Sequence, residues 1–141
     1  MERRDFIEKS CSTCLGVLAL GLVATLAQGC SSLPLTAATL EDNTLRVSLE
    51  KMLDSRVMIV RSQKIDSDIL LVKNDEVYTA LRMVCSHQEQ PLTATGSNLY
   101  CPSHGSTFDL DGNVTREPAT TPLRKYRTEK INNEIIIHLQ S

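Results

Sequence analysis

Tryptophan is absent from this chain, and its 141 residues include only two phenylalanines and three tyrosines. A core without large rings must be filled by branched aliphatic side chains. The stretches RVMIV, DILLV and NEIIIHL supply them, in β-branched runs that favour strands. An excess of charge of one sign is missing too. Fifteen Lys and Arg stand against 17 Asp and Glu, a formal net charge of −2, and removing the first 29 residues leaves that balance unchanged. Such near-neutrality excludes the basic footprint of a nucleic-acid binder. Long hydrophobic runs are also scarce: residues 15–27 form a 13-residue apolar stretch, short of the ~20 that a membrane-spanning helix needs.

What is present at the N-terminus differs from the rest. MERRDFIEKS is a charged segment and CLGVLALGLVATLAQGC an apolar one ending in small residues, the layout of an export signal. Arg3, Arg4 and Phe6 in RRDFIEK resemble the twin-arginine signal, with Glu2 where Ser or Thr is usual and Lys9 displaced by one position. LAQGC at 26–30 resembles a bacterial lipobox, which makes Cys30 the candidate lipid-modified residue; several acyl chains there would anchor the protein stably, as one alone would not. Cys11 and Cys14 fall inside the signal and are read as incidental. The expected organisation is a signal over residues 1–29, a tether over 30–43 broken by Pro34, and one folded domain over 44–141.

Within that domain short apolar or alternating segments recur: TLRVSL, RVMIVRS, DILLVKN, EVYTALRMV, NLYCP, STFDL, PLRKYRTEKI and EIIIHLQ. The breaks KNDE, TGSN, DLDGN and INNE carry the Asn, Asp and Gly of tight turns, Gly112 among them. Many short strands at regular spacing predict an all-β antiparallel sandwich or barrel. LRVSLEKML is the one segment read as a short helix. His138 falls on the more polar face of the last strand and is expected to face solvent.

Cysteine is scarce where it matters. Outside the signal and Cys30 only Cys85 and Cys101 remain, and each has a histidine beside it: CSH at 85–87, then, with 13 residues between His87 and Cys101, CPSHGSTFDLDG at 101–112. Three readings of these residues compete. A Cys85–Cys101 disulfide leaves His87 and His104 unexplained. A zinc ion accepts two thiolates and two imidazoles, yet zinc sites usually pair Cys with Cys and His with His. In a Rieske [2Fe-2S] centre two thiolates hold one iron and two imidazoles the other, which suits one of each per loop.

The order C, H, C, H with both spacings, and with Pro102 and Gly105 in place, resembles the two cluster-binding boxes of the Rieske family, and EPATTPLRKY resembles its proline loop. The resemblance spans roughly residues 45–140. It implies the Rieske fold with a cluster-binding subdomain of two loops, and one [2Fe-2S] cluster per chain. Cys85 and Cys101 would hold its buried iron, His87 and His104 its outer one, with Pro118 covering a third side. Pro102 would stiffen the second loop, and Gly105 would let backbone N–H groups reach sulfur.

Compared with the quinol-oxidising branch, Gln90 and Ser103 replace the cysteines of a loop-bracing disulfide. Ser106 retains the serine donor to a bridging sulfide, while Phe108 replaces a tyrosine donor. Losing one donor implies a reduction potential below the high-potential members and above the ferredoxin type, within about −150 to +300 mV. The resemblance and the export signal together imply an electron-transfer protein rather than an enzyme acting alone, lipid-tethered at the outer face of a bacterial membrane and serving a redox partner protein. The alternatives are the Rieske subunit of a quinol-oxidising, cytochrome bc-type complex and, more remotely, a structural zinc module.

Overall fold

The computed structural model describes residues 32–140. The expected signal and the candidate lipid site Cys30 lie outside the described residues. Twelve strands follow one another: β1 (Leu35–Ala37), β2 (Leu40–Glu41), β3 (Thr44–Ser48), β4 (Val57–Arg61), β5 (Ile69–Asn74), β6 (Val77–Arg82), β7 (Thr93–Ala94), β8 (Leu99–Tyr100), β9 (Thr107–Phe108), β10 (Val114–Arg116), β11 (Lys125–Ile131) and β12 (Glu134–His138). Eight of them form one sheet in the order β1-β4-β5-β6-β11-β12-β3-β2, and four form a smaller one in the order β10-β9-β8-β7. All pairings are antiparallel except β1 with β4.

The large sheet curls, so Leu45 and Val47 of β3 and Ile135 and Ile137 of β12 meet Met58, Val60, Ile69 and Leu71 in one core. The opposite parity of β4, β5 and β6 faces outward. There Val57, Leu70, Val72 and Leu81 pack in a second core with Leu99, Phe108 and the two loop cysteines. β5 is therefore buried on both faces, which is why its sequence, ILLV, shows no alternation. The two cysteine loops grow from this second core.

Three departures from the sequence-based expectations have clear causes. LRVSLEKML is not one helix: Leu45 and Val47 alternate inward and pair with Ile137 and Ile135, and only Leu49–Met52 coil, as a 3-10 turn. Ser48 Oγ accepts from the Glu50 N–H, and the Leu49 N–H donates to Asn133 O. Residues 30–43 are not a free tether along their described length. The Ile59 N–H donates to Pro34 O at 2.8 Å, and β1 then runs along β4 with Thr36 buried. His138 is half-covered rather than open, with Nε2 3.6 Å from Glu129 Oε2, because β12 lies between β3 and β11 and both neighbours crowd its outer face.

The turn residues act as expected in most places. Asp75, Asn132 and Gly112 have φ of +54°, +54° and +79°, and Asp42 and Asn43 make the β2–β3 turn in the same region. In TGSN the turn is made by Thr95 instead, whose Oγ1 accepts from the Ser97 and Asn98 N–H groups, so Gly96 needs no left-handed backbone. At Gly112 a Cβ would lie 2.9 Å from Leu81 Cδ2 and 3.3 Å from Leu123 Cβ. This glycine serves close packing of the β9–β10 turn on the outer core. Gly112→Ala therefore combines a left-handed penalty with overpacking, and is expected to cost about 2–3 kcal/mol. Gly96→Ala, with nothing within 4 Å, should stay within about 0.5 kcal/mol of the parent. Urea unfolding midpoints at constant slope measure both; equal midpoints for the two variants would contradict this account.

Candidate functional site

The two loops are built on one backbone plan. In the first, the Cys85 N–H donates to Gln90 O at 2.8 Å and the Glu89 N–H donates to Cys85 O at 2.9 Å. In the second, the Cys101 N–H donates to Ser106 O at 2.8 Å and the Gly105 N–H donates to Cys101 O at 2.9 Å. Each cysteine thus closes a turn with the residues four and five positions on. The fourth must turn left-handed, and it does: Glu89 has φ +50° and Gly105 φ +80°. This equivalence is hidden in the sequence, because one loop reads C-x-H and the other C-x-x-H. Counting from the cysteines instead of the histidines would have exposed Glu89 as the counterpart of Gly105. At Gly105 no protein atom lies within 4 Å of where a Cβ would sit, so its role is the backbone turn and the space is open.

The plan separates the ligand types. Cys85 and Cys101 are each 1% exposed and both thiols are free, which overturns the disulfide reading. His87 and His104 stand in solvent, their rings edge-to-face with centroids 5.1 Å apart. Sulfur lies beside sulfur and imidazole beside imidazole. Among the described residues no three His, Cys, Asp or Glu side chains gather around a single point, as one tetrahedral zinc would need. Two irons with two protein ligands each fit this pairing. The Cys101 thiol fits a ligand role as well. Burial alone would push it up, but the His104 and Ser103 backbone N–H groups, the Cys85 thiol and the Ser103 hydroxyl hold it below the ordinary thiol range.

A third segment, residues 117–122, spans both loops. The Ser106 Oγ, fully buried, accepts from the Ala119 N–H at 3.0 Å, which leaves its own hydrogen to donate elsewhere. The Ser86 hydroxyl donates to Thr121 O at 2.6 Å. Ala119 is buried, while Pro118 and Pro102 are exposed. Phe108 is completely buried in the same core as the two cysteines. The sequence reading missed Ser86 and Ala119, whose partners are distant in the chain; Ser103 was noticed only for the position it fills. Gly112 packs against Leu81 and Leu123 and belongs to the fold rather than the site.

A non-glycine residue held left-handed costs about 1–2 kcal/mol, partly offset by the greater freedom that glycine gives the unfolded chain. Glu89→Gly is thus expected to stabilise the protein by about 0.5–1 kcal/mol, read as a higher urea midpoint. A lower midpoint would show that the Glu89 side chain holds the loop.

The family model described as Rieske [2Fe-2S] domain matches residues 43–127. A curated relative, the chloroplastic iron-sulfur subunit of the cytochrome b6-f complex from Bigelowiella natans, is 36% identical over 59 residues, 40% of this chain; the match spans only 23% of that relative's length. Among solved structures, a chain from the complex of reduced oxygenase and oxidized ferredoxin in carbazole 1,9a-dioxygenase is 20% identical. The match covers 70% of this chain and 95% of that one, with a TM-score of 0.54. A cyanobacterial plasma membrane Rieske protein from Synechocystis is 21% identical, over 67% of this chain and 85% of that one, with a TM-score of 0.47.

Proposed function

This chain belongs to the Rieske [2Fe-2S] domain family, and from that premise we propose that it is an exported electron-transfer protein whose Cys85 and Cys101 hold the inner iron and whose His87 and His104 hold the outer iron of one cluster. When bound, the cluster supplies reversible electron uptake at a potential raised by its two neutral imidazoles. The observation that carries the reading is the separation of ligand types: two adjacent buried thiols, and two adjacent imidazoles open to solvent.

The chain's own residues account for the rest. The short turns of the two loops hold the ligands, and the segment around Pro118 covers one side. Ser106, with its oxygen engaged by Ala119, has a hydrogen free for a sulfide. His87 and His104, the exposed part of the site, are where a partner protein would approach. The twin-arginine resemblance supports export in the folded, cofactor-loaded state, and LAQGC supports a lipid tether at Cys30 on the outer face of a bacterial membrane.

A quinol-oxidising complex is the second reading, favoured by the retained Ser106 and by the similarity to the cytochrome b6-f subunit. Gln90 and Ser103 in place of a disulfide, and Phe108 in place of a tyrosine, speak for a separate carrier.

The purified protein is expected to absorb in the visible when oxidised and to contain iron and acid-labile sulfide in equal amounts. Colourless protein with neither would overturn the proposal. Phe108→Tyr, which places a hydroxyl in the core beside the cysteines, is expected to raise the midpoint potential in a redox titration followed by absorbance. An unchanged or lower potential would show that the ring does not face a cluster sulfur.

A further inference from the structure

The chain joins the folded domain at the end opposite the histidines. Ser32–Pro34 lie against Lys51, Asp54 and Ser55, in the segment that follows the 3-10 turn. That segment in turn faces the β5–β6 turn across a groove lined by Leu53, Arg56, Lys73, Asp75 and Glu76. Lys130 near the end of β11 pairs with Glu76 at 2.7 Å, and Asn133 of the β11–β12 turn binds the Leu49 N–H, so these turns share one end of the sheet. β5 starts at the other end, where the Met83 N–H donates to Asp68 O two residues before Cys85.

Large apolar side chains collect at the joining end. Among the described residues five are exposed: Leu35 (46%), Leu53 (81%), Val77 (66%), Tyr100 and Ile131 (42%). Leu53, Val77 and Ile131 stand in or next to the three turns just named, whereas Leu35, its carbonyl bound to Lys51 Nζ, lies midway along β4 opposite Ile59 and shares a groove with Gln63. The fifth, Tyr100, precedes Cys101. Charges at this end are mixed and partly paired, Lys130 with Glu76, so the surface has no strong attraction for anions. What distinguishes it is protruding aliphatic groups beside the point where an apolar N-terminal segment attaches.

Length decides what that attachment permits. Pro34 is bonded to Ile59, opposite Leu70 near the start of β5, and from there the chain runs back past Asp54 and Ser55 to leave at the joining end; from Ser32 to Cys30 it adds at most about 7 Å when fully extended. β5 alone, with six residues, spans roughly 20 Å at ~3.3 Å per residue, and the cysteine loops lie beyond it. An anchor at Cys30 thus keeps the joining end close to the lipid, and with the sheet upright the histidines stand off by about the length of that strand.

Resting on the tethered reading above, we propose that the joining end is a lipid-contact surface, seating Leu53, Val77 and Ile131 at the headgroup boundary and holding His87 and His104 away from the membrane. The redox partner is then met from the aqueous side.

The natural chain has no tryptophan, so single probes report cleanly. Leu53→Trp and Gln63→Trp are placed in the full-length anchored protein, Gln63 lying beyond β4 in a groove shared with Glu89 and Pro91 at the histidine end. Each is mixed with vesicles of phosphatidylethanolamine and phosphatidylglycerol carrying brominated acyl chains. Flotation of the protein with the vesicles, with severalfold quenching and a blue shift for Leu53→Trp but neither for Gln63→Trp, is the expected result. Flotation with Leu53→Trp unquenched, or with Gln63→Trp the more quenched, overturns the orientation and leaves the tether standing. Failure to float overturns both.

Discussion

The constraint on which the site depends is that each cysteine must be buried while a histidine two or three residues later stays in water. A tight turn in which the cysteine's own N–H and C=O are both engaged meets it, because the engaged backbone points the thiol into the core and carries the following residues outward. The chain makes this turn twice, at Cys85 and at Cys101, with matching hydrogen bonds. Burial by itself would favour neutral thiols. The N–H groups that gather on Cys101 offset that, so the loop that hides the sulfur also favours its thiolate.

The core under the loops is the reason these turns are held rigidly. β5 contributes Ile69 and Leu71 to one core and Leu70 and Val72 to the other, so the curled sheet and the site share a central strand. The cysteines belong to the outer core with Leu81, Leu99 and Phe108. Moving the loops would therefore expose close-packed aliphatic surface, at roughly 25 cal/mol for each Å².

In place of a disulfide between the loops, the chain uses a third segment. Ser86 binds it at Thr121 and Ser106 binds it at Ala119. Hydrogen bonds contribute about 1 kcal/mol each on balance, so the two together approach the lower end of the ~2–4 kcal/mol typical of a disulfide. The link is independent of the redox state of the surroundings, which suits the electron-transfer role proposed above.

Much of the fold was legible because its strands advertise themselves. RVMIV, DILLV and EIIIHL are strands, and Asp75, Gly112 and Asn132 are left-handed where turn chemistry asked for it. The short β1, β2, β7 and β10 were not legible, since two or three residues carry no period and are strands only because a neighbour offers bonds. The four candidate ligands could be named from residue type, order and spacing, which are properties of the chain. The like-with-like pairing of sulfur and imidazole was implied by the family resemblance. Two matters belonged to tertiary structure alone: the two serines that reach a segment up to 35 residues away, and the joining of the N-terminal segment at the end remote from the histidines. Each depends on which distant backbone groups come within bonding distance, and a local pattern along the chain holds no record of that.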